Sequence, residues 1–248
     1  MKRLFVVGIG PGKKEYFTAE AMRALEESDV IYGYPVYTEL VAPLFPDKDY
    51  RTTGMRQEME RCRQALECAD GGQTTALVCS GDAGVYGMAS PVLELASEYP
   101  EVDICVVAGV TAALSGAAVL GAPLGNDFCV VSLSDLLTPW EQIERRLKAV
   151  ALGDFSLVLY NPSSRKRKDH LKHACDVLLA SGKSPETVCG FVRNIGRDGE
   201  EATLCTLGEL RDSDVDMFTT VFIGTAETKV LRDKMVTPRG YDLTGGNA

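Results

Sequence analysis

Apolar residues fall along this chain in two alternating patterns: short unbroken runs of four to six, and stripes with steps of three and four. The runs Leu4-Phe5-Val6-Val7, 29–32, 74–79 and 102–107 predict strands, because runs bounded by turn residues are what a sheet buried on both faces requires. Between them, Phe17, Ala21, Ala24 and Leu25 share one helical face, and Met55, Met59, Cys62, Leu66 and Ala69 form a second stripe. A helix is expected from Val85 to Ser97. A small-residue helix is expected to start in Ala108-Gly109-Val110-Thr111-Ala112-Ala113 and to run to about Leu120. Strands alternating with helices in this way predict an α/β domain with a parallel sheet over residues 1–120.

Gly121-Ala122-Pro123-Leu124-Gly125-Asn126 reads as the linker to a second domain, 126–243. The alternation resumes with a strand at Phe128–Ser132. Thr138-Pro139-Trp140-Glu141 has the spacing of a capping box with proline at the first helical position, and Trp140, Ile143, Leu147 and Val150 continue it as an apolar stripe. A strand from Ser156 to Tyr160 breaks at Asn161-Pro162. A helix from Arg165 to Ala180 buries Leu171, Ala174, Cys175, Leu178 and Leu179. Strands at 187–193, 202–206 and 219–223 lie too close together for a helical crossover between the first two, so this domain should hold a mixed sheet. There is no internal repeat or low-complexity tract.

Two turns carry the candidate chemistry. Ser80-Gly81-Asp82-Ala83-Gly84-Val85-Tyr86-Gly87 places three glycines and a carboxylate where a strand ends, the position at which open α/β sheets bind ligands. Glycine admits a ligand close to the backbone, and Asp82 suits an amine or ribose hydroxyls better than a bare phosphate. The same segment also reads as an ordinary turn in which Asp82 caps the helix. The earlier turn, Gly8-Ile9-Gly10-Pro11-Gly12-Lys13-Lys14, excludes two common readings. A dinucleotide fingerprint needs glycine where Lys13 stands, and a phosphate loop needs glycine at Val7 and a hydroxyl at Lys14.

At 248 residues, 45% hydrophobic and 25% charged, the composition is that of a globular chain. No apolar run approaches the roughly 20 residues of a membrane span, and Met1-Lys2-Arg3 precedes too short an apolar stretch for a signal peptide. A cytoplasmic location is expected, without membrane partners. The eight cysteines are nowhere closer than the six residues separating Cys62 from Cys68, so there is no C-x-x-C pair for metal or redox work, and buried free thiols are expected. His170 and His173, the only histidines, lack a third ligand nearby and read as surface positions of a helix; no metal site is expected. Arg165-Lys166-Arg167-Lys168 is the one basic run. In a chain of net charge −9 it reads as a solvated helix start or a substrate rim, not a nucleic-acid surface.

Taken in order, Val7-Gly-Ile-Gly-Pro-Gly12, Ser80 to Gly87, Ala108-Gly-Val-Thr111, Ser132-Leu-Ser-Asp-Leu-Leu-Thr-Pro-Trp140 and Leu159-Tyr-Asn-Pro162 resemble the motifs of the tetrapyrrole methylases. The Gly-Asp-Ala-Gly form and the segment ending at Trp140 look most like the branch that methylates C17 of precorrin-3B or cobalt-precorrin-3 in cobalamin biosynthesis. The likeness runs from about residue 3 to about residue 240. It implies the two-domain class III methyltransferase fold, S-adenosylmethionine in a cleft between the domains, a tetrapyrrole substrate and a homodimer. By motif, Pro11, Gly81, Asp82, Val85, Val110 and Thr111 carry over as cofactor-binding residues from the first domain. Tyr160, Asn161, Arg193 and Thr220 carry over from the second.

The implied chemistry needs no nucleophilic side chain, because a sulfonium methyl is already activated and alignment with exclusion of water supplies the rate. Ring contraction, which the resemblance also implies, involves proton transfers, and Asp135 is the candidate positioned carboxylate; an exposed loop acid is the plainer reading of it. Members of this branch often carry histidine where Asn126 stands, and asparagine cannot shuttle a proton there. The family's Ile-Gly-Asn reads Ile223-Gly224-Thr225 here. A polycarboxylate substrate meets a chain with 26 basic against 35 acidic residues, so local clusters have to bind it; Arg56 and Arg61 are the candidates. The competing readings are a sister methylase acting on precorrin-4, uroporphyrinogen or an RNA nucleotide, and a non-catalytic tetrapyrrole carrier. Labelled-cofactor turnover separates the last from an enzyme.

Overall fold

The computed structural model describes residues 2–164 and 167–241, so Arg165 and Lys166 of the basic run lie outside the described residues. The chain divides into two units, one ending at Ala112 and the next beginning at Ala113. The first holds β1 (Arg3–Gly8), α1 (Ala19–Glu27), β2 (Val30–Gly33), α2 (Pro35–Val41), β3 (Asp49–Thr52), α3 (Glu58–Asp70), β4 (Thr74–Cys79), α4 (Ala89–Leu95) and β5 (Asp103–Val107). Its sheet has the order β3-β2-β4-β1-β5 and is parallel throughout.

The unbroken apolar runs follow from helices covering both faces of that sheet. Leu4, Val6 and Leu77 pack with Cys62, Leu66 and Ala69 of α3 and Val92 of α4. Phe5, Val7, Ala76 and Val78 pack instead with Ala21, Ala24 and Leu25 of α1 and Val41 of α2. Thr18 caps α1, its hydroxyl accepting from the Ala21 amide at 3.0 Å.

Several expectations are corrected here. The helix after β4 begins at Ala89, not Val85, and its α-helical part ends at Leu95, because residues 81–88 form an irregular loop. Met55 lies before α3, and both it and Met59 are exposed, so the buried stripe is Cys62, Ala65, Leu66 and Ala69. α2 and the mostly exposed edge strand β3 lie in a stretch whose polar residues hide any period.

The second unit holds most of α5 (Ala112–Leu120), then β6 (Gly121–Ala122), β7 (Phe128–Ser132), α6 (Trp140–Gly153), β8 (Ser156–Tyr160), α7 (His170–Ala180), β9 (Val188–Arg193), β10 (Glu201–Thr206), α8 (Leu207–Leu210), β11 (Thr219–Ile223), β12 (Lys229–Leu231) and β13 (Lys234–Val236). The main sheet, β10-β9-β11-β8-β7, is mixed as expected: β7 and β8 are parallel, and the remaining pairs are antiparallel. Val221 and Ile223 face α6 and α7 in one core. Phe222, between them in sequence, points the other way onto Gly116 of α5, where an added Cβ would sit 2.8 Å from its ring.

The anticipated linker is partly strand: Gly121-Ala122 pairs with Met235 and Val236 of β13. The capping box at Thr138 does not form, since Pro139 occupies the N-cap position without a side-chain bond. A true capping box is found at Thr206 and Glu209, at the start of α8. Within the described residues α7 starts at His170 instead of Arg165.

Candidate functional site

In the first unit, β4, β1 and β5 are neighbours and run parallel, so their following turns leave from the same edge of the sheet. The turns are locked together by bare backbone. Gly10 and Gly81 exchange two hydrogen bonds, N to O at 3.0 Å and O to N at 2.7 Å. A Cβ on Gly109 would come within 2.2 Å of the Gly81 carbonyl oxygen, and one on Gly8 within 2.7 Å of the same atom. No other residue fits at either position, since such approaches lie inside van der Waals contact.

Asp82 completes the lock. Its Oδ1 accepts from the Gly84 amide at 2.8 Å and the Val85 amide at 3.2 Å, while Oδ2 accepts from Gly109 at 2.9 Å. The acid therefore caps its own turn and ties it to the turn after β5; it does not cap α4, which starts seven residues later. Gly81 adopts left-handed backbone with φ 68°, and a Cβ there would contact the Thr111 Cα at 3.6 Å. Pro11, Gly81, Asp82, Val85, Val110 and Thr111 thus all belong to this edge.

The donor set of these turns fits a zwitterionic, ribose-bearing group. Neither 80–87 nor 108–111 contains lysine or arginine, so a polyphosphate would find no counter-charge within those two turns. Backbone amides and carbonyls, the Thr111 hydroxyl and the remaining lone pair of Asp82 Oδ2 are the kind of groups that an ammonium, a carboxylate and ribose hydroxyls require.

In the second unit, the parallel strands β7 and β8 end together and carry a polar cluster. The Tyr160 hydroxyl accepts from the Ala113 amide at 2.7 Å, at the start of α5. Asn161, at φ 55°, donates from Nδ2 to the Ser132 hydroxyl at 2.9 Å, and that oxygen also accepts from the Ser134 amide at 3.2 Å. Asp135, 39% exposed at its side chain, faces a guanidinium and an imidazole: Arg167 Nη1 and His170 Nε2 each lie 3.6 Å from one of its oxygens. Arg167 is held by the Ser134 and Ser164 hydroxyls at 2.7 and 3.0 Å.

His170 is not the surface residue the sequence implied, because its side chain is only 14% exposed and its Nδ1 sits 2.9 Å from the Leu133 carbonyl oxygen. Farther along the sheet, Arg193 ends β9 with Nε 3.3 Å from an Asp216 oxygen, poorly aligned for a hydrogen bond. Thr220 is buried on the neighbouring strand opposite Val192.

A profile of the tetrapyrrole (corrin/porphyrin) methylases matches residues 3–211. This chain belongs to the tetrapyrrole methylases. It is 48% identical over 241 residues to a probable cobalt-factor III C(17)-methyltransferase of Salmonella typhimurium, covering 97% of this chain and 100% of that one. Among solved structures, the methyltransferase CobJ is similar at TM-score 0.88 and 36% identity, covering 95% of this chain and 99% of the other. The uroporphyrin-III C-methyltransferase of Thermus thermophilus, in complex with S-adenosyl homocysteine, is similar at TM-score 0.70 and 26% identity, covering 90% and 97%.

In this tetrapyrrole methylase the arginines expected to bind substrate carboxylates have separate fates. Arg61 is 5% exposed on the inner face of α3, its guanidinium donating to the Thr53 hydroxyl at 2.9 Å and the Gly54 carbonyl at 3.0 Å. It holds the 53–54 loop, because the α3 register that buries Cys62 also turns residue 61 inward. Arg51 and Arg63 pair with Asp49 and Glu98. Arg56 is exposed, on left-handed backbone at φ 65°.

The cysteines are all free, four buried and four half-buried, and among the described residues no three His, Cys, Asp or Glu side chains could hold a metal. Burial pushes the Cys79 and Cys175 thiols up to about 12 and the Cys62 and Cys205 thiols up to about 11. No helix of the described residues is long and apolar enough to cross a membrane.

Proposed function

We propose that this methylase transfers a methyl group from S-adenosylmethionine to C17 of precorrin-3B or its cobalt-bearing counterpart, with the associated ring contraction, in cobalamin biosynthesis. The observation that carries the reading is the near-full-length likeness to the probable cobalt-factor III C(17)-methyltransferase of Salmonella typhimurium. The turns at 80–87 and 108–111 support the choice of cofactor, since they offer backbone and hydroxyl groups and no basic side chain.

Gly81, Asp82, Val85, Val110 and Thr111, with Pro11, would hold the cofactor from the first unit. Tyr160, Asn161, Arg193 and Thr220 are the further residues proposed to bind it. When bound, S-adenosylmethionine supplies a methyl group already activated on a sulfonium. The protein's own task is to orient the ring carbon, exclude water and move protons, which accounts for turns built from close-packed backbone. Arg56, being exposed, is the arginine to which this reading gives a substrate carboxylate, and a homodimer is the assembly it carries.

The test is direct. The protein is incubated separately with cobalt-factor III, precorrin-3B and uroporphyrinogen III, each with methyl-labelled S-adenosylmethionine, and product masses are measured. Gain of one labelled methyl on either of the first two substrates is expected. Gain only on uroporphyrinogen would move the protein to a sister activity, and no gain on any would leave a carrier. Calorimetry should show binding of S-adenosyl homocysteine without added metal, and sedimentation should give twice the chain mass.

A further inference from the structure

His170 is the one imidazole of the second unit built into a polar cluster, and nothing in methyl transfer itself uses it. It stands in the first turn of α7, facing the ends of β7 and β8, the edge at which parallel strands present catalytic groups. Three contacts fix its ring. Nδ1 lies 2.9 Å from the Leu133 carbonyl oxygen, which can only accept, so Nδ1 carries the hydrogen and donates. The Trp140 ring packs on the imidazole with centroids 4.9 Å apart. Nε2 is then the nitrogen with the lone pair, and it faces Asp135 Oδ2 at 3.6 Å, too long for a hydrogen bond.

We infer that His170 Nε2 is the proton acceptor that discharges the macrocycle after methyl transfer, with Asp135 as the carboxylate that compensates the imidazolium formed. The inference rests on the methyltransferase reading above and adds to it a base at a named atom. Carbon methylation leaves the macrocycle with one additional positive charge. That charge discharges when an N–H or C–H bond of the macrocycle breaks, its electron pair returns to the ring system, and the proton forms an N–H bond at Nε2. The resulting imidazolium lies opposite Asp135, whose charge-assisted hydrogen bond can then close, and the proton later passes to water.

A carboxylate held slightly apart suits this cycle, because it can only accept and so forms no hydrogen bond with the Nε2 lone pair until the proton has arrived there. Arg167 keeps Asp135 in place: it is 3.6 Å from the other carboxylate oxygen and is itself fixed by Ser134 and Ser164. The charged groups facing the pair are therefore Asp135 after β7 and Arg167 before α7. His173, the only other histidine, touches the same Trp140 ring from one turn along α7, with centroids 6.0 Å apart. The assignment gives Asp135, which the sequence marked as a lone carboxylate, a partner.

Nitrogen NMR of the two histidines, told apart by His173→Gln, reads the tautomer without substrate. Neutral His170 should be protonated at Nδ1; a proton on Nε2 would overturn the assignment. The second arm uses His170→Asn, whose side-chain amide can still donate to the Leu133 carbonyl but offers nothing at the Nε2 position. It should melt like wild type and bind S-adenosyl homocysteine within threefold of wild type, yet lose kcat by roughly 10²–10⁴-fold, together with the acid limb of the pH–rate profile. Asp135→Asn should lose less, and His173→Gln should keep wild-type rate and profile. Wild-type turnover accompanied by an unaltered rate and profile in His170→Asn would overturn the inference alone; a wild type that transfers no methyl group would overturn the functional reading on which it rests.

Discussion

Asp82 is a structural side chain to which we also assign a part in cofactor binding. Its two oxygens accept three backbone amides, two from its own turn and one from Gly109. Asp82→Ala should therefore cost about 2–4 kcal/mol in urea unfolding, because three amides lose a charged acceptor in a half-buried place. Asp82→Asn discriminates further. The amide oxygen can still serve Gly84 and Val85, but its NH2 group would face the Gly109 N–H, donor against donor. The variant should fold with a smaller loss yet bind S-adenosyl homocysteine at least tenfold more weakly, and unchanged affinity by calorimetry would limit Asp82 to holding its own turn. Arg61 and Arg56 make the complementary pair. Arg61→Gln should lower the unfolding midpoint, since it removes a buried guanidinium from the Thr53–Gly54 loop, whereas Arg56→Gln should leave it unchanged.

Elements are held by their ends as much as by their faces. α1 and α8 start at threonine caps, and Thr206 together with Glu209 closes a reciprocal box, with the Thr206 amide donating to Glu209 at 2.8 Å. Thr206→Ala should cost about 1 kcal/mol by urea denaturation. At the end of α6, Asp154 adopts left-handed backbone, accepts from Lys183 at 2.9 Å and from the Ala226 amide at 2.9 Å, and so ties that helix to the turns after α7 and β11. Lys183, 3% exposed at its side chain, also donates to the Gly224 carbonyl at 2.8 Å. Sequence periodicity found the faces of α1, α6 and α7 but neither α8 nor these end contacts, since a cap depends on which residue happens to lie across the loop.

At the scale of the whole molecule, the buried thiols set the alkaline limit. Burial raises Cys62 and Cys205 from 9.0 to about 11 and Cys79 and Cys175 from 9.0 to about 12, while the unfolded chain ionises near 9.0. A raised folded value means that stability present below pH 9.0 is lost as pH climbs from there through 11 to 12, because only the unfolded state releases protons across that window. The urea midpoint should fall over that range, and replacing Cys79 and Cys175 by alanine should flatten the decline even though it lowers stability at pH 7. A midpoint insensitive to pH between 9 and 11 would contradict the burial of these groups.

The sequence by itself determined what depends on neighbours along the chain: the strand runs, the apolar faces of α1, α6 and α7, the mixed character of the second sheet and the glycine turns that mark the family. Hydrophobic period and glycine spacing are written locally, so they survive without coordinates. Tertiary structure decided what depends on groups far apart in sequence. Gly109 lies 27 residues from Asp82 and meets it because β4 and β5 flank β1. His170 lies 35 residues beyond Asp135 and meets it because β7 and β8 end side by side. Arg61 read as a free cation because its burial depends on the register of α3 against the sheet, which no one-dimensional pattern of charge records. Backbone polar groups must be satisfied somewhere, and the residue that satisfies them is chosen by the fold.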